Sequence, residues 1–231
     1  MTVLDAMQSA SIRLVGRKPS VFFSSQGQFE RELTDLANEV AKDCIASEEW
    51  QALIKVLTLT GDGTTEQFDF PADYDRQLLN TDVQDLTNWA WGYEHLTNLN
   101  EFLYRKARGF EPYPGCWIIY GNQFNFYPAP VSGNTATFPY VSNYYARASG
   151  GAEKASFTAD DDSFVLPDRL LTLGLIWRWR EMKKLDYTGD MEAFQKCIDE
   201  LMARDKGSQI IRGGDKWRGI NAVRAYPYPL G

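Results

Sequence analysis

The chain has 231 residues, of which 44% are hydrophobic and 24% charged. That is enough to bury about 70 to 75% of the surface its unfolded form exposes, so no metal or disulfide staple is needed. A net charge of −7 excludes general nucleic-acid binding by the body, whose surface repels phosphates.

Along the chain, Thr2 and Asp5 form a capping pair for a first short helix with Leu4, Met7, Ile12 and Leu14 as its apolar residues, ended by Gly16 and Pro19. No signal peptide reads at the start, because Asp5 and Arg13 interrupt the apolar pattern. No window approaches the ~18 uncharged apolar residues of a membrane span. Ser25 and Gln28 read as a second capping box. Phe29, Leu33, Leu36, Val40 and Cys44 follow at helical spacing, which predicts an amphipathic helix to about Ala46.

From Trp50 the period becomes two. Leu53, Lys55 and Leu57 alternate with Ile54, Val56 and Thr58, Gly61-Asp62-Gly63 turns the chain, and Glu66 to Phe70 returns, which predicts a β-hairpin. A turn at Pro71 to Tyr74 precedes a strand over 77–86, and Leu99, Phe102, Leu103 and Lys106 predict a helix over 97–108. Trp117 to Tyr120, Gly121-Asn122 and Phe124 to Tyr127 give the strongest hairpin signal. One more strand is expected over 136–148.

A helix over 166–185 follows, opened by Pro167 and Asp168. Leu170, Leu171, Leu173, Leu175, Ile176, Trp177, Trp179, Met182 and Leu185 make it apolar on nearly every side, the mark of a helix buried between others. Asp190 caps a last helix with Phe194, Cys197, Ile198 and Leu201, ending near Gly207. The expected class is α+β: a helical bundle from 1–49 and 151–207, a mostly antiparallel β insertion over 50–150, and an extended tail over 208–231.

That tail carries four cations against one carboxylate, a charge of +3, which leaves −10 on residues 1–207. It has no helical or strand period, yet it is too apolar for a solvated linker and too short for a core. Pro227 and Pro229 hold it extended and lower the entropy lost on docking. The composition reads as an arm that a partner buries.

Catalytic motifs are sparse. His95 is the single histidine, and with no partner near it in sequence a triad or metal site has nothing to build on. Asp160-Asp161-Asp162 lacks the spacing and closing Glu of a calcium loop and reads as a solvated, self-repelling loop. Trp89, Trp91 and Tyr93 could stack on sugars beside Asp85, Glu94 and Glu101, the ingredients of a two-carboxylate glycosidase. Aromatic residues two apart are more simply one face of a strand. Cys44, Cys116 and Cys197 are odd in number and lack CxxC spacing, which predicts buried free thiols from a reducing cytosol. No catalytic residue, metal ligand or cofactor is assigned.

Four tracts carry a resemblance. TVLDAMQSASIRLVG, GQFERELTDLANEVAKDCIASEEWQAL running into LTLTGDGTTEQFDFPADYDR, YGNQFNFYPAP, and FVLPDRLLTLGLIWRWREMKKLDYTGDMEAFQKCIDELMARDKG resemble head-to-tail adaptor (connector) proteins of tailed bacteriophages, of the tail-accessory-factor type. The resemblance implies a structural, non-enzymatic protein at the head-to-tail junction of the virion, assembled in the host cytoplasm. It implies a ring, usually of twelve copies, beneath the portal, with a helical wall, a β-rich insertion at its outside or lower rim, and a C-terminal extension reaching into the portal. Implied partners are further copies, the portal protein, downstream tail or nozzle proteins, and genome DNA passing without specific binding, with no membrane. In the arm the docking residues are then Ile210, Ile211, Arg212, Lys216, Trp217, Arg218, Ile220, Val223, Arg224, Tyr226 and Tyr228. The helix over 166–185 would turn Leu170, Leu173, Trp177, Trp179 and Arg180 toward a neighbouring subunit. Two other readings stay open: a stopper or tail-completion ring protein lower in the same junction, and a cell-wall-active glycosidase.

Overall fold

The structure, a computed structural model, describes residues 2–78, 81–85, 92–110 and 115–205. In chain order its elements begin with α1 (Val3–Val15), α2 (Gln28–Ala46), β1 (Ile54–Thr60), β2 (Gln67–Asp69), β3 (Tyr74–Gln77), β4 (Val83–Gln84) and β5 (Gly92–His95). There follow α3 (Leu99–Arg108), β6 (Cys116–Tyr120), β7 (Gln123–Tyr127), β8 (Thr135–Ser142), β9 (Ala146–Arg147), β10 (Glu153–Lys154), β11 (Ser163–Phe164), α4 (Asp168–Met182) and α5 (Thr188–Asp205). The class is α+β. The described residues form two compact units, a helical one within 2–54 and 141–205 and a sheet unit from the described residues between 55 and 140.

In the helical unit α1 starts as expected. Thr2 and Asp5 close a full capping box, with the Thr2 amide donating to Asp5 Oδ2 at 3.0 Å. The bonds from Thr2, its backbone amide first, hold the Asp5 carboxyl below the usual range. The buried face is Val3, Ala6, Met7, Ala10 and Ser11, whereas Ile12 is half exposed, so the helix turns small residues inward where close approach is needed. At α2 the expected Ser25–Gln28 box does not form. Gly27 is the N-cap, the Ser25 hydroxyl accepts the Gly27 amide at 3.2 Å, and the Gln28 carboxamide donates to Glu32 at 3.0 Å. The apolar stripe is nonetheless right: Leu33, Leu36, Val40 and Cys44 are buried.

Helix α4 touches α1, α2 and α5, which explains its lack of a single apolar face. It is shorter than expected, because Lys184 takes φ +55 and Leu185 is exposed. Gly174 makes the crossing possible. A Cβ there would lie inside van der Waals contact of Val40 Cγ1 and 3.2 Å from Phe194 Cε2. Gly174→Ala is expected to destabilise by about 1–3 kcal/mol despite a better helix propensity. Adding Val40→Ala should recover part of the loss, so urea unfolding of the two single variants and the double should show clear non-additivity.

The acidic run 160–162 is not a solvated loop. The Asp162 carboxylate is buried, accepts Lys154 Nζ at 2.6 Å and takes the amides of Thr158 and Ala159 at 2.7 and 3.0 Å. The Asp160 carboxylate accepts the Phe22 amide at 3.0 Å, and the carbonyls of Asp162 and Asp160 accept the amides of Val3 and Leu4. The Asp160 and Asp162 carboxylates escape mutual repulsion because each has donors of its own, and Asp161 between them is exposed to solvent.

In the sheet unit the strands follow the path β1-β8-β4-β5-β6-β7-β2, with β3 on β8. The pairs β2–β7, β4–β5, β4–β8 and β6–β7 are antiparallel, whereas β5 on β6 is parallel. The expected hairpin of β1 with the 66–70 segment is therefore absent: β1 pairs with β8, and β2 pairs with β7 in the register Phe68↔Phe124. Six strand spacings of ~4.8 Å separate β1 from β2 in a flat sheet, about 29 Å, and the six residues 61–66 can span only about 24 Å. The sheet must curl. Its concave side collects Leu57, Leu59, Phe68, Tyr74, Val83, Tyr93, Trp117, Phe124, Phe126, Ala136 and Phe138 into one core.

The β6–β7 hairpin is as expected, with Gly121 and Asn122 both at positive φ, the requirement of a two-residue type I′ turn. Both its faces are covered: Phe102 of α3 packs with Leu96, Cys116, Ile118 and Tyr127 on the convex side. The strand expected over 77–86 is instead two short strands, β3 and β4. The one expected over 136–148 is cut at Ser142, and β9 joins β10 and β11 in a separate three-stranded sheet.

Candidate docking surfaces

The arm residues Ile210, Ile211, Arg212, Lys216, Trp217, Arg218, Ile220, Val223, Arg224, Tyr226 and Tyr228 lie outside the described residues. The five expected on the interface helix are placed. Leu170 is fully buried within its own bundle, so it serves the core. Leu173, Trp177, Trp179 and Arg180 are partly exposed; Leu173, Trp177 and Arg180 follow at i, i+4 and i+7 along one side of the helix, whereas Trp179, two residues from Trp177, sits on the nearly opposite side.

Trp179 lines a groove of about 480 Å³ with Val15, Arg17, Gln28, Phe29, Glu32 and Lys183. Its ring meets Phe29 edge-on at 5.7 Å, with the Arg17 guanidinium 5.2 Å from Phe29 and Lys183 Nζ 5.6 Å from Trp179. Glu32 accepts Lys183 Nζ at 2.7 Å and Trp179 Nε1 at 3.2 Å. The Lys183 bond is the main reason its carboxyl titrates below the usual range. This aromatic surface is fixed before any partner arrives.

On the opposite side Trp177 lies against Tyr187 and Phe194. Arg178 covers it at 4.3 Å and pairs with Asp43 at 2.6 Å and Glu181 at 3.1 Å, while Arg180 pairs with Asp190. Leu173 borders a third concavity, about 580 Å³, between α1 and the start of α4, lined also by Asp5, Ser9, Arg13, Asp168 and Arg169. Burial raises the Asp168 carboxyl above its ordinary value.

The sheet unit has a surface of its own that the periodicity concealed. Leu99 and Leu103, whose spacing predicts the helix, are 40% and 47% exposed, and Tyr104 and Phe110 are 61% exposed. In α3 only Phe102 is buried. Tyr104, Arg105, Arg108, Gly109, Phe110 and Glu101 line a cleft of about 630 Å³. The signal available in sequence was the sharp contrast between an i, i+4 apolar pair and one single anchor.

Chemistry is poorly served here. Tyr93 is buried against Phe126 and offers no sugar platform, while Trp89 and Trp91 lie outside the described residues. Asp85 is buried and accepts the Asn134 side-chain Nδ2 at 3.2 Å. Glu94 and Glu101 share one guanidinium, Arg105, at 2.5 and 2.6 Å. That bond lowers the Glu94 pKa, opposite to what a general acid needs. His95 stacks on Trp117 at 4.2 Å, and burial lowers its pKa. The three thiols are free and buried, and burial pushes Cys44 up to about 12, which makes it inert at neutral pH. Among the described residues no His, Cys, Asp and Glu cluster could hold a metal, and no helix is long and apolar enough to cross a membrane.

The arrangement offers surfaces rather than a reaction centre. Among curated proteins none matches the chain. A family model described as SU10 adaptor protein matches residues 1–224.

Proposed function

The chain belongs to the SU10 adaptor protein family, a phage head-to-tail adaptor family, and from that premise we propose that its copies close a ring beneath the portal and extend the DNA channel toward the tail. The adaptor role itself, contact with portal and tail proteins and a place at the head-to-tail junction follow from the family. The observation that carries the finer reading is the extent of the match, which runs through residue 224 and so takes in most of the arm.

In this reading the arm over 208–231 docks on the portal, with Trp217 and the neighbouring isoleucines as anchors and Arg212, Lys216, Arg218 and Arg224 at the rim. The ring wall is the helical unit. Ile12, Val15, Met182, Leu185 and Met191 are all at least 41% exposed in the single chain, and a neighbouring copy would cover such residues together with the Trp179 groove. Twelve bodies at −10 each carry about −120 before counterions, and carboxylates facing the channel would keep a passing genome from adhering.

Deleting residues 208–231 should leave the body folded by circular dichroism and lower portal binding, measured by co-sedimentation with purified portal rings, by at least a hundredfold. Undiminished binding by the truncated chain would refute the docking arm.

A further inference from the structure

The helical unit presents two exposed apolar surfaces at the C-terminal end of α4, on nearly opposite sides of that helix. On one side Val15, Phe29 and Trp179 line the groove with Arg17 and Lys183, and Val15 is 42% exposed. On the other, Arg180 reaches Asp190 and Trp177 packs on Tyr187 and Phe194, so the corner between α4 and α5 stands there. At that corner Leu185 and Met191 are 52% and 41% exposed.

The two surfaces carry opposite charge. Residues 11–18 hold Arg13, Arg17 and Lys18 and no carboxylate, whereas residues 184–195 hold Asp186, Asp190 and Glu192 against the single cation Lys184. Within one chain these charges are only partly used. Arg17 pairs with Glu30 and Asp190 with Arg180, while among the described residues Arg13, Lys18, Asp186 and Glu192 stand in no ion pair. In the groove the carboxylates lie beneath their cations: the Glu30 side chain is 9% exposed beside Arg17 at 57%, and Glu32 is 18% exposed beside Lys183 at 35%. Its mouth is therefore positive and aromatic, and the occupant it suits is apolar and acidic. The α4–α5 corner has that chemistry.

We propose that the Trp179 groove of one copy receives the α4–α5 corner of the next, Leu185 and Met191 against Val15, Phe29 and Trp179, with Asp186 and Glu192 facing Arg13 and Lys18. The thioether of Met191 suits the ring edges that the groove offers. This inference rests on the proposed ring and gives it a polarity. Groove against groove sets cation on cation, and corner against corner sets carboxylate on carboxylate, so a two-fold dimer through either surface is disfavoured and the contact is head-to-tail. Both surfaces lie at one end of α4 and on opposite sides of it. Copies joined through them stand side by side at one level, as a closed ring requires.

The test uses the full chain, whose association is read first by sedimentation velocity, with and without purified portal rings. Val15→Cys and Met191→Cys, both at exposed positions, are then oxidised with copper phenanthroline under the associating condition; the three native thiols are buried. A chain carrying both cysteines should give a ladder of multimers on a non-reducing gel, a mixture of the two single variants should give dimers, and neither single variant alone should cross-link. Self-cross-linking of a single variant overturns the head-to-tail contact. Arg13→Glu with Lys18→Glu, and Asp186→Lys with Glu192→Lys, should each weaken association about tenfold, and an equal mixture of the two should recover it, because every groove then meets a corner of opposite sign. Misfolded chains cannot produce that recovery. A mixture as weak as its parts, or associated chains that yield no ladder, overturns this contact alone, and a natural chain that associates under neither condition overturns the ring and the contact together.

Discussion

Replacing Asp162 by alanine is expected to cost the helical unit about 3–5 kcal/mol, the usual loss when one partner of a buried ion pair is removed. Its side chain is 2% exposed and Lys154 is 26% exposed, so the ammonium is left partly desolvated without its counter-charge. Two amides, of Thr158 and Ala159, lose their acceptor as well. The damage propagates, because the same turn supplies the carbonyls that accept Val3 and Leu4 at the start of α1, and the Asp160 carboxylate that holds the chain at Phe22. Urea unfolding followed by helical circular dichroism checks the magnitude.

The pH dependence has a definite sign. Burial alone would raise the Asp162 pKa, but Lys154 and the two amides outweigh it and the net shift is downward. A carboxylate whose folded pKa is depressed contributes stability that is present above its unfolded pKa and lost as pH falls through the folded value. The gap between the natural chain and Asp162→Asn should therefore be full at pH 7, hold to about pH 4, and close below that as Asp162 takes up a proton. A gap that stays constant from pH 7 to pH 3 would show that the carboxylate's charge contributes nothing.

Most of what was legible in the sequence was local. Thr2 with Asp5 and Gly121 with Asn122 act within four residues, and both work as their chemistry demands. Ser25 with Gln28 has the same spacing as the first pair, yet Gly27 caps α2, because Ser25 is already spent on the Gly27 amide. The apolar residues of β1 and of the 66–70 segment predict strands but not partners. Pairing was decided by the curled core, where Phe68 meets Phe126 and Phe70 meets Phe124 and Tyr74, contacts that no turn signal encodes. The acidic run misled for a related reason: its donors, Lys154 and the amides of Phe22 and Phe23, come partly from more than a hundred residues away. The surfaces were the least legible. A stripe such as Leu99, Leu103 and Tyr104 has the same period whether it meets a core or a partner, and only the position of Phe102 shows which side is the core.

Trp117→Ala should remove about 3–5 kcal/mol from the sheet unit, the range for deleting a fully buried large aromatic. Trp117 is 0% exposed and sits where the rings converge, 5.1 Å from Phe138, 6.4 Å from Phe124 and 4.2 Å from His95. Against a typical domain stability of about 5–15 kcal/mol, that loss is about a fifth or more of what holds the unit together. The helical unit has buried residues of its own, so its circular dichroism should persist while the near-ultraviolet aromatic signal of the sheet collapses. Trp117→Phe separates the two contributions to the cost. The indole Nε1 is buried and, among the described residues, finds no acceptor, so the native ring already carries an unsatisfied donor. Phenylalanine keeps most of the ring contact with Phe138 and removes that donor, and the expected cost falls below about 2 kcal/mol. Thermal melts of the two variants side by side decide the point: if phenylalanine is as damaging as alanine, the indole N–H has a partner in solution and the core is not the dry aromatic cluster its geometry indicates.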